Sequence, residues 1–433
     1  MNRFSILLLL VSLSSFISCS SDESVELPEP TSDSPNVLLI IADDMGLDAT
    51  PGFTEGSIKP NMPNLEALMA SGLTFENFWS APVCTPTRAT ILTGRYGIHT
   101  GILGVGDNIT TSETSLQSYM DNNSSESYSQ AVIGKWHLSN NSSNPNNMGI
   151  NYYAGLLGGG VASYSNWTLT ENGNSSQSTE YITSKFTDLA IDWVSQQNSP
   201  WFLWLAYNAP HTPFHLPPAN LHSQGNLPVD AASIDANPTP YYLAAIEAMD
   251  SEIGRLLKSM SAEERANTVI LFVGDNGTPN QVAQFPYSRQ KAKGSLYQGG
   301  INVLLVAAGH GVSRAGSREA ALINSTDLFA TIADLTGSGS SDIHDSRSFK
   351  PLFTIENQKI RDFAYSEVNE NNVAGYAIRN ETYKLIAFEN GDKELFNLIN
   401  DPYENTDLLS GNLNAQENAA LTALEAAAAE IRR

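Results

Sequence analysis

Five short apolar runs, separated by polar or glycine-containing stretches, dominate the hydrophobic pattern of this chain. They cover residues 37–42, 131–133, 201–206, 268–273 and 303–307. Near-continuous apolar runs of this length are typical of strands buried on both faces, as in a mostly parallel sheet. Helical patterns lie between them, over residues 64–71, 179–197, 241–260 and 325–335. This alternation predicts an α/β fold, with a mostly parallel central sheet and helices on both of its faces.

The pattern changes after about residue 362. Three short runs, at residues 376–379, 383–388 and 394–398, precede an Ala-rich helical stretch over residues 414–433. They predict a small C-terminal α+β domain over 362–433, with a short antiparallel sheet and a terminal helix, after a catalytic domain over 36–361. Residues 140–178 are rich in Asn, Ser and Gly, and we expect loops or a weak insertion there.

The first 18 residues have the pattern of a signal peptide. Arg3 precedes an apolar stretch over residues 6–17 that is too short for a stable membrane-spanning helix. The stretch ends at Ser18-Cys19, which resembles a bacterial lipoprotein signal; an ordinary cleaved signal peptide is the alternative. We expect an exported lipoprotein held to the outer membrane by a lipid on Cys19, on the periplasmic or cell-surface side. Residues 19–35, rich in Ser, Pro, Asp and Glu, would form a flexible tether.

Charge and cysteine content restrict the function further. The chain has 46 acidic and 23 basic residues, a formal charge of −23. Such a field repels polyanions and argues against a nucleic-acid partner. The chain has two cysteines. If Cys19 carries a lipid, Cys84 has no disulfide partner, and a lone Cys in an exported protein requires a specific role.

Polar side chains follow four of the predicted strands. Ligands bind outside the carboxyl ends of the strands in open α/β sheets, so these side chains are expected to meet at one edge. They are Asp43, Asp44, Lys135, His137, His211, Asp275 and Asn276.

The four oxygen-bearing residues of this set have the chemistry of a metal site. Three carboxylates held together repel each other unless a cation lies among them. Oxygen ligands select Ca²⁺ or Mg²⁺ over Zn²⁺ or copper. Taken alone, Asp43-Asp44 is equally typical of a helix N-cap or a turn. Its combination with Asp275-Asn276 in the same context favours a metal site.

Cys84 opens a predicted helix. Pro86 suits the first turn of that helix, whose N-terminus would favour anions. Two interpretations remain open from these residues alone: a low-pKa thiolate activated by the helix end and Arg88, or a buried structural cysteine.

The run from Cys84 to Arg88, Cys-Thr-Pro-Thr-Arg, resembles the Cys-x-Pro-x-Arg signature of the formylglycine-dependent sulfatases of the alkaline phosphatase-like superfamily. The family's Thr-Gly-Arg element follows at residues 93–95. Further matching segments stand in the family's order, at residues 134–137, 209–213, 275–277 and 293–300, and the resemblance covers about 35–405. One departure is Thr278-Pro279, where many relatives have a second Gly, so that loop is expected to shape a different substrate site.

The resemblance implies a cofactor and a site. A maturation enzyme would oxidise Cys84 to formylglycine, which would hold Ca²⁺, or alternatively Mg²⁺ or Mn²⁺, together with four side chains: Asp43, Asp44, Asp275 and Asn276. The shell around the sulfate would consist of Arg88, Lys135, His137, His211 and Lys293. Such a cationic pocket would reconcile an acidic chain with an anionic substrate.

The resemblance also implies a covalent mechanism. His211 or Lys293 would protonate the departing alcohol, and His137 would assist the release of sulfate. The expected substrate is a sulfated polysaccharide or oligosaccharide outside the cell.

Two other functions remain open. One is a phosphodiesterase or phosphonate monoester hydrolase of the same superfamily, and the other is a catalytically dead, glycan-binding surface lipoprotein. His99 and His215 lie near motif residues. A substrate contact and a turn or packing role both remain open for them.

Overall fold

The computed structural model describes residues 34–339, 341–370 and 373–433. The predicted signal peptide, Cys19 and the predicted tether as far as residue 33 lie outside these ranges. Within them, no helix is long and apolar enough to cross a membrane.

Eleven strands form the main sheet of the described chain. They are β1 Asn36–Ala42, β2 Leu73–Trp79, β3 Ser129–Lys135, β4 Tyr152–Leu156, β5 Trp167–Glu171, β6 Asn174–Ser178, β7 Trp201–Ala206, β8 Thr268–Gly274, β9 Asn302–Gly309, β10 Ser317–Glu319 and β11 Ile323–Asn324. Their order is β10-β2-β9-β8-β1-β7-β3-β4-β5-β6, and β11 also pairs with β2. The central strands β8, β1, β7, β3 and β4 pair in parallel, whereas β9 and β5 run against their neighbours. The prediction of a mostly parallel sheet is confirmed.

Helices connect these strands and follow them. They are α1 Pro63–Ser71, α2 Cys84–Thr93, α3 Gly97–Thr100, α4 Leu116–Asn123, α5 Asn144–Asn147, α6 Ile182–Val194, α7 Ala231–Ala236, α8 Thr239–Ser259, α9 Ala262–Ala266, α10 Gln298–Ile301, α11 Asp327–Leu335 and α12 Ala415–Ile431. Short 3₁₀ turns occur at Leu47–Ala49, Arg289–Lys291, Lys350–Phe353 and Leu408–Ser410.

The central strand β1 shows why the sheet is covered on both faces. Successive side chains of a strand point to opposite faces. Val37, Leu39 and Ile41 belong to one buried cluster, which also contains residues of α2, α4 and α11. Leu38 and Ile40 belong to a second cluster, with residues of α1, α6 and α8. Helices therefore lie on both faces, as the alternating pattern predicts.

Residues 140–178, where we expect loops or a weak insertion, contain regular elements as well as loops. This segment contains α5 and strands β4, β5 and β6, which extend the sheet beyond β3. The last two of these strands consist largely of Ser, Thr, Asn and Gln, and all but the last residue of β6 is exposed or partly exposed. Strands at the edge of a sheet need no apolar run, so the hydrophobic pattern does not reveal them.

The C-terminal region forms a separate antiparallel sheet. Its strands are β14 Ala364–Glu370, β15 Val373–Arg379, β16 Tyr383–Phe388 and β17 Lys393–Asn397, and a small pair, β12 Asp342–Ile343 with β13 Ser346–Arg347, precedes it. Helix α12 packs on this sheet through Leu424 and Ala428. The predicted antiparallel sheet and terminal helix are confirmed, with β14 as an additional strand. The domain boundary at residue 362 stays a prediction.

Candidate active site

The predicted polar residues meet at the carboxyl edge of four neighbouring strands. Asp275 follows β8, Asp43 follows β1, His211 lies beyond β7, and Lys135 ends β3. Asp44 has φ 75° and His137 has φ 56°. Such values are uncommon outside glycine and occur preferentially at functional sites. The chain thus turns sharply at this edge in two places.

Cys84 is the first residue of α2 and is buried. Its Sγ lies 3.1 Å from His137 Nδ1 and 3.6 Å from Lys135 Nζ. Burial raises the pKa of the Cys84 thiol, although the Lys135 charge opposes the rise. The interpretation as a low-pKa thiolate is therefore not favoured. In an oxidised residue, oxygen would replace this Sγ.

Three carboxylates lie buried around Cys84. The backbone N of Asp44 donates to Asp275 Oδ1 at 3.0 Å, and Asn276 Nδ2 donates to Asp44 Oδ1 at 2.7 Å. One ligand atom from each of Asp43, Cys84 and Asp275 lies within 4.8 Å of the other two. Burial raises the pKa of Asp43 to about 8. A carboxylate in this position therefore needs additional positive charge to stay ionised at neutral pH.

Two oxygen atoms of this cluster fit a cation. Within the described residues, Asp43 Oδ1 and Asn276 Oδ1 are buried and have no hydrogen-bond partner. Buried acceptors are normally bonded, so two unbonded oxygens beside three carboxylates indicate a missing partner. The donor set of Asp43, Asp44, Asp275 and Asn276 suits Ca²⁺, Mg²⁺ or Mn²⁺.

Cationic side chains surround the acidic cluster. Lys135 Nζ lies 2.5 Å from Asp43 Oδ2, and Arg88 donates to Asp275 Oδ2 at 2.8 Å. Lys293 Nζ lies 2.5 Å from Asp44 Oδ1. Burial of Lys293 lowers its pKa, but the negative charge of Asp44 outweighs this effect, so the pKa of Lys293 is raised. Three cationic side chains thus pair with the three carboxylates, and a bound divalent cation would give this edge the net positive charge that an anionic ligand requires.

The two histidines at this edge are neutral at neutral pH. Burial, followed by the charge of Lys135, lowers the pKa of His137 to about 2 and that of His211 to about 4. His211 Nδ1 lies 2.7 Å from the Thr212 carbonyl oxygen. Because a carbonyl oxygen only accepts hydrogen bonds, the proton of the neutral ring is on Nδ1. Its Nε2 then carries a lone pair, lies 3.8 Å from Asp44 Oδ2 and can accept a proton.

The other two candidate histidines are engaged by the protein. The ring of His215 stacks on Tyr164 at 3.8 Å between centroids, and its Nε2 lies 3.0 Å from the Tyr181 hydroxyl. His99 Nδ1 lies 2.7 Å from Asp345 Oδ2. These contacts favour packing roles for both residues.

Supporting residues of the site are not apparent in the sequence. The Tyr164 hydroxyl lies 2.8 Å from the Asn208 carbonyl oxygen and 2.6 Å from that of His211, so it holds the turn beyond β7. The Tyr242 hydroxyl donates to the Asp44 carbonyl oxygen at 2.8 Å. Tyr164 lies in the segment expected to form loops, and Tyr242 lies within α8. Only the fold brings them to the site.

The mostly parallel sheet with this site at its carboxyl edge is that of the alkaline phosphatase-like superfamily. The Sulfatase family model matches residues 35–338, and the model of the N-sulphoglucosamine sulphohydrolase C-terminal region matches residues 292–428. The first match covers more than half of the chain. The chain therefore belongs to the sulfatase family.

Similar proteins agree with this assignment. The chain is 28% identical over 368 residues to the uncharacterized sulfatase YdeN of Escherichia coli (strain K12), covering 70% of this chain and 63% of that protein. The chain thus spans less than two thirds of the length of this relative. It is similar to the solved structure of Ps i-CgsB in complex with k-i-k-neocarrahexaose, with 26% identity, a TM-score of 0.75 and 90% and 92% of the two chains covered. BT4656 in complex with its substrate D-glucosamine-2-N,6-O-disulfate has the same fold at 20% identity, with a TM-score of 0.75 and 92% and 98% covered.

Proposed function

We propose that the protein hydrolyses sulfate esters of carbohydrates, using a formylglycine derived from Cys84 and a divalent cation, with Ca²⁺ favoured. The observation that carries the proposal is the meeting of a buried Cys84 with three carboxylates and three cationic side chains in a chain of the sulfatase family. The sulfated sugar bound by BT4656 and the oligosaccharide bound by Ps i-CgsB support a carbohydrate substrate.

Formylglycine would provide what a thiol lacks. Its hydrate carries two hydroxyl groups on one carbon, one to attack sulfur and one whose deprotonation expels sulfate. His137 Nδ1, 3.1 Å from Cys84 Sγ, is positioned to accept that proton. Its low pKa keeps the ring neutral at neutral pH, so the lone pair is free, and substrate binding would have to raise this pKa for the ring to act as the base.

The remaining side chains would bind the sulfuryl group and the leaving group. A bound divalent cation would add Lewis-acid stabilisation of the sulfuryl oxygens. Lys135 and Lys293 bring fixed positive charges to the same place, where charge develops during transfer. Arg88 is held by Asp275 and by the Lys135 carbonyl oxygen at 2.7 Å, so it also orients these two residues. His211 Nε2 and Lys293 Nζ both lie beside Asp44. Lys293 carries a proton for the departing alcohol, whereas His211 would act as the acid only after its Nε2 has taken up a proton on substrate binding.

The state of Cys84 tests the proposal most directly. In protein made with an active maturation system, mass spectrometry of the Cys84 peptide should show the sulfur replaced by an aldehyde oxygen or its hydrate. Cys84→Ala should abolish turnover and keep the fold, because Ala at a helix start costs little stability. Cys84→Ser should be inactive or accumulate a sulfated enzyme. Full activity of unmodified Cys84 protein, measured on the same sample, would show the mechanism to be wrong.

Substrate class separates the proposal from the two other functions. A panel of sulfate esters, phosphate diesters and phosphonate monoesters should give the highest kcat/KM for a sulfate ester. Preference for a phosphorus ester would instead assign a phosphodiesterase or phosphonate hydrolase. No turnover despite intact formylglycine would point to a glycan-binding protein without catalysis.

Location is a separate part of the proposal. Residues 1–19 support export and attachment to the outer membrane through a lipid on Cys19. In the native host, Cys19→Ala should move the protein from the membrane fraction to a soluble fraction. An unchanged distribution would contradict the lipid anchor and leave the catalytic proposal unaffected.

A further inference from the structure

The cleft in front of the site is larger than a sulfate group requires. Its volume is about 610 Å³, within the range of pockets that hold a small organic ligand. Asp44 and Lys293 of the site line it, together with Thr212, the neighbour of His211. Segment 279–294 also contributes to the lining, and Glu370 of the C-terminal sheet lies there as well. The residues outside the catalytic set are therefore positioned to contact the saccharide around the scissile sulfate.

Arg289 is the cationic member of this additional lining. Its side chain is exposed and, among the described residues, makes neither an ion pair nor a hydrogen bond. Lys293, which lines the same cleft, contacts Asp44. In a chain of net charge −23, an arginine without a carboxylate partner leaves its guanidinium available for an anionic ligand.

The backbone holds Arg289 at a fixed offset from the sulfate-binding residues. With its amide nitrogen facing two carbonyl groups, Asn280 donates to the Arg289 oxygen at 3.2 Å and to the Lys293 oxygen at 3.0 Å. The backbone N of Lys293 donates in turn to the Thr278 oxygen at 3.1 Å. One amide thus ties the backbone of Arg289 to that of Lys293, and both residues line the same cleft.

We propose that Arg289 binds a second anionic group of the substrate, so that the enzyme selects saccharides with a further sulfate or a carboxylate beside the scissile sulfate. The inference rests on the proposed sulfatase function. A guanidinium has the fork geometry that pairs with two oxygens of a sulfate or carboxylate. Because the net charge of the protein repels polyanions at long range, a contact of this kind is needed for a multiply charged substrate to be preferred.

Inhibition measurements test the role of Arg289. Hydrolysis of 4-methylumbelliferyl sulfate would be inhibited with galactose- and glucosamine-based disaccharides in three forms: one sulfate, two sulfates, and one sulfate with a uronic acid. In the unaltered enzyme, at least one form with two anions should bind about tenfold more tightly than its monosulfated analogue, as expected for a charge-assisted pair. Which form gains identifies the second group as sulfate or carboxylate.

Two variants provide the comparison. Arg289→Gln should reduce the affinity ratio between doubly and singly charged forms to near one, and Arg289→Lys should restore part of it. Arg265→Gln, which removes the same charge from exposed α9 at the amino end of β8, should leave the ratio unchanged. A ratio near one in the unaltered enzyme, or an unchanged ratio in Arg289→Gln, overturns the inference.

Failure of the proposed function would give a different result. A protein with complete formylglycine that hydrolyses no sulfate ester contradicts the sulfatase proposal. Calorimetric binding of the same saccharides, before and after Arg289→Gln, then still decides whether Arg289 recognises the second anion.

Discussion

Asp44 connects more parts of the site than any other residue described above. Its carboxylate contacts Asn276 and Lys293 and faces His211, and its carbonyl oxygen accepts the Tyr242 hydroxyl. Its φ of 75° is an unfavourable backbone conformation. Such a conformation persists only where the surrounding structure enforces it. A single strained residue thus aligns the metal-ligand set with the candidate leaving-group acids.

The identity of the acid can be tested at His211. If His211 protonates the departing alcohol, His211→Ala should reduce kcat on sugar sulfates by roughly 100-fold more than on aryl sulfates. The phenolate of an aryl sulfate is a good leaving group and departs without a proton. The measurement compares galactose 6-sulfate with 4-nitrophenyl sulfate. His310→Ala should affect neither, because the backbone N of His310 bonds Thr268 at the opposite edge of the sheet. Equal losses on both esters in His211→Ala would assign a binding role and move the acid to Lys293.

At the scale of elements, the close approach of β7, β3 and β4 positions the catalytic edge. Gly134 in β3 has φ 110°, and a Cβ there would lie 1.9 Å from the Ala206 carbonyl oxygen of β7. A Cβ on Gly155 of β4 would in turn lie 1.8 Å from the Gly134 carbonyl oxygen. Because Lys135 and His137 follow directly, any shift of β3 moves two site residues.

Gly134→Ala should therefore disrupt both stability and activity. The clash and the positive φ should together cost roughly 3 kcal/mol or more of unfolding free energy. Urea unfolding and thermal melting would measure this, together with kcat on an aryl sulfate. Gly411→Ala is the matched control, since its nearest contact would be 3.8 Å away and its φ is −122°, and it should change stability by less than about 1 kcal/mol. A Gly134→Ala protein of normal stability would show that β3 can move away from β7 at little cost.

At the scale of the whole molecule, the candidate metal ligands come from distant parts of the chain. Asp43 and Asp275 follow the neighbouring strands β1 and β8, and Cys84 begins α2. The three residues form a cluster only in the folded chain. Cation binding should therefore stabilise the fold, because a preformed site is absent from the unfolded state.

Metal removal should reveal this linkage. Chelation should inactivate the enzyme slowly and lower its Tm, and Ca²⁺ should restore both; at 100 times the Kd, the ion contributes about 2.7 kcal/mol. Parallel titrations with Mg²⁺ and Mn²⁺ would identify the preferred ion. Asp275→Ala should lose the Tm response, whereas Asp235→Ala, at an exposed position of α7, should keep it. Full activity and an unchanged Tm after exhaustive metal removal would contradict the assignment of Asp43, Asp44, Asp275 and Asn276.

The sequence by itself determined the fold class and the residues at the strand ends. Strands β1, β3, β7 and β8 are buried on both faces, so each requires an apolar run that can be read locally. The polar residues after these runs follow from the rule that the carboxyl ends of parallel strands share one edge. The signature around Cys84 is also local, because Cys84 to Arg88 are the first five residues of one helix, α2.

Only the tertiary structure decided the edges of the sheets and the supports of the site. Strands β5, β6 and β14 contain many polar residues, and each has residues that are exposed or partly exposed. Their own sequence therefore does not distinguish them from loops, and pairing with other strands makes them part of a sheet. The contacts of Tyr164 with the turn before His211 and of Tyr242 with Asp44 join residues far apart in sequence. The position of Arg289 beside Lys293 depends on the Asn280 amide. Hydrophobic periodicity records which face of an element is buried, but not which distant polar group it will meet, and that pairing is fixed only when the chain is packed.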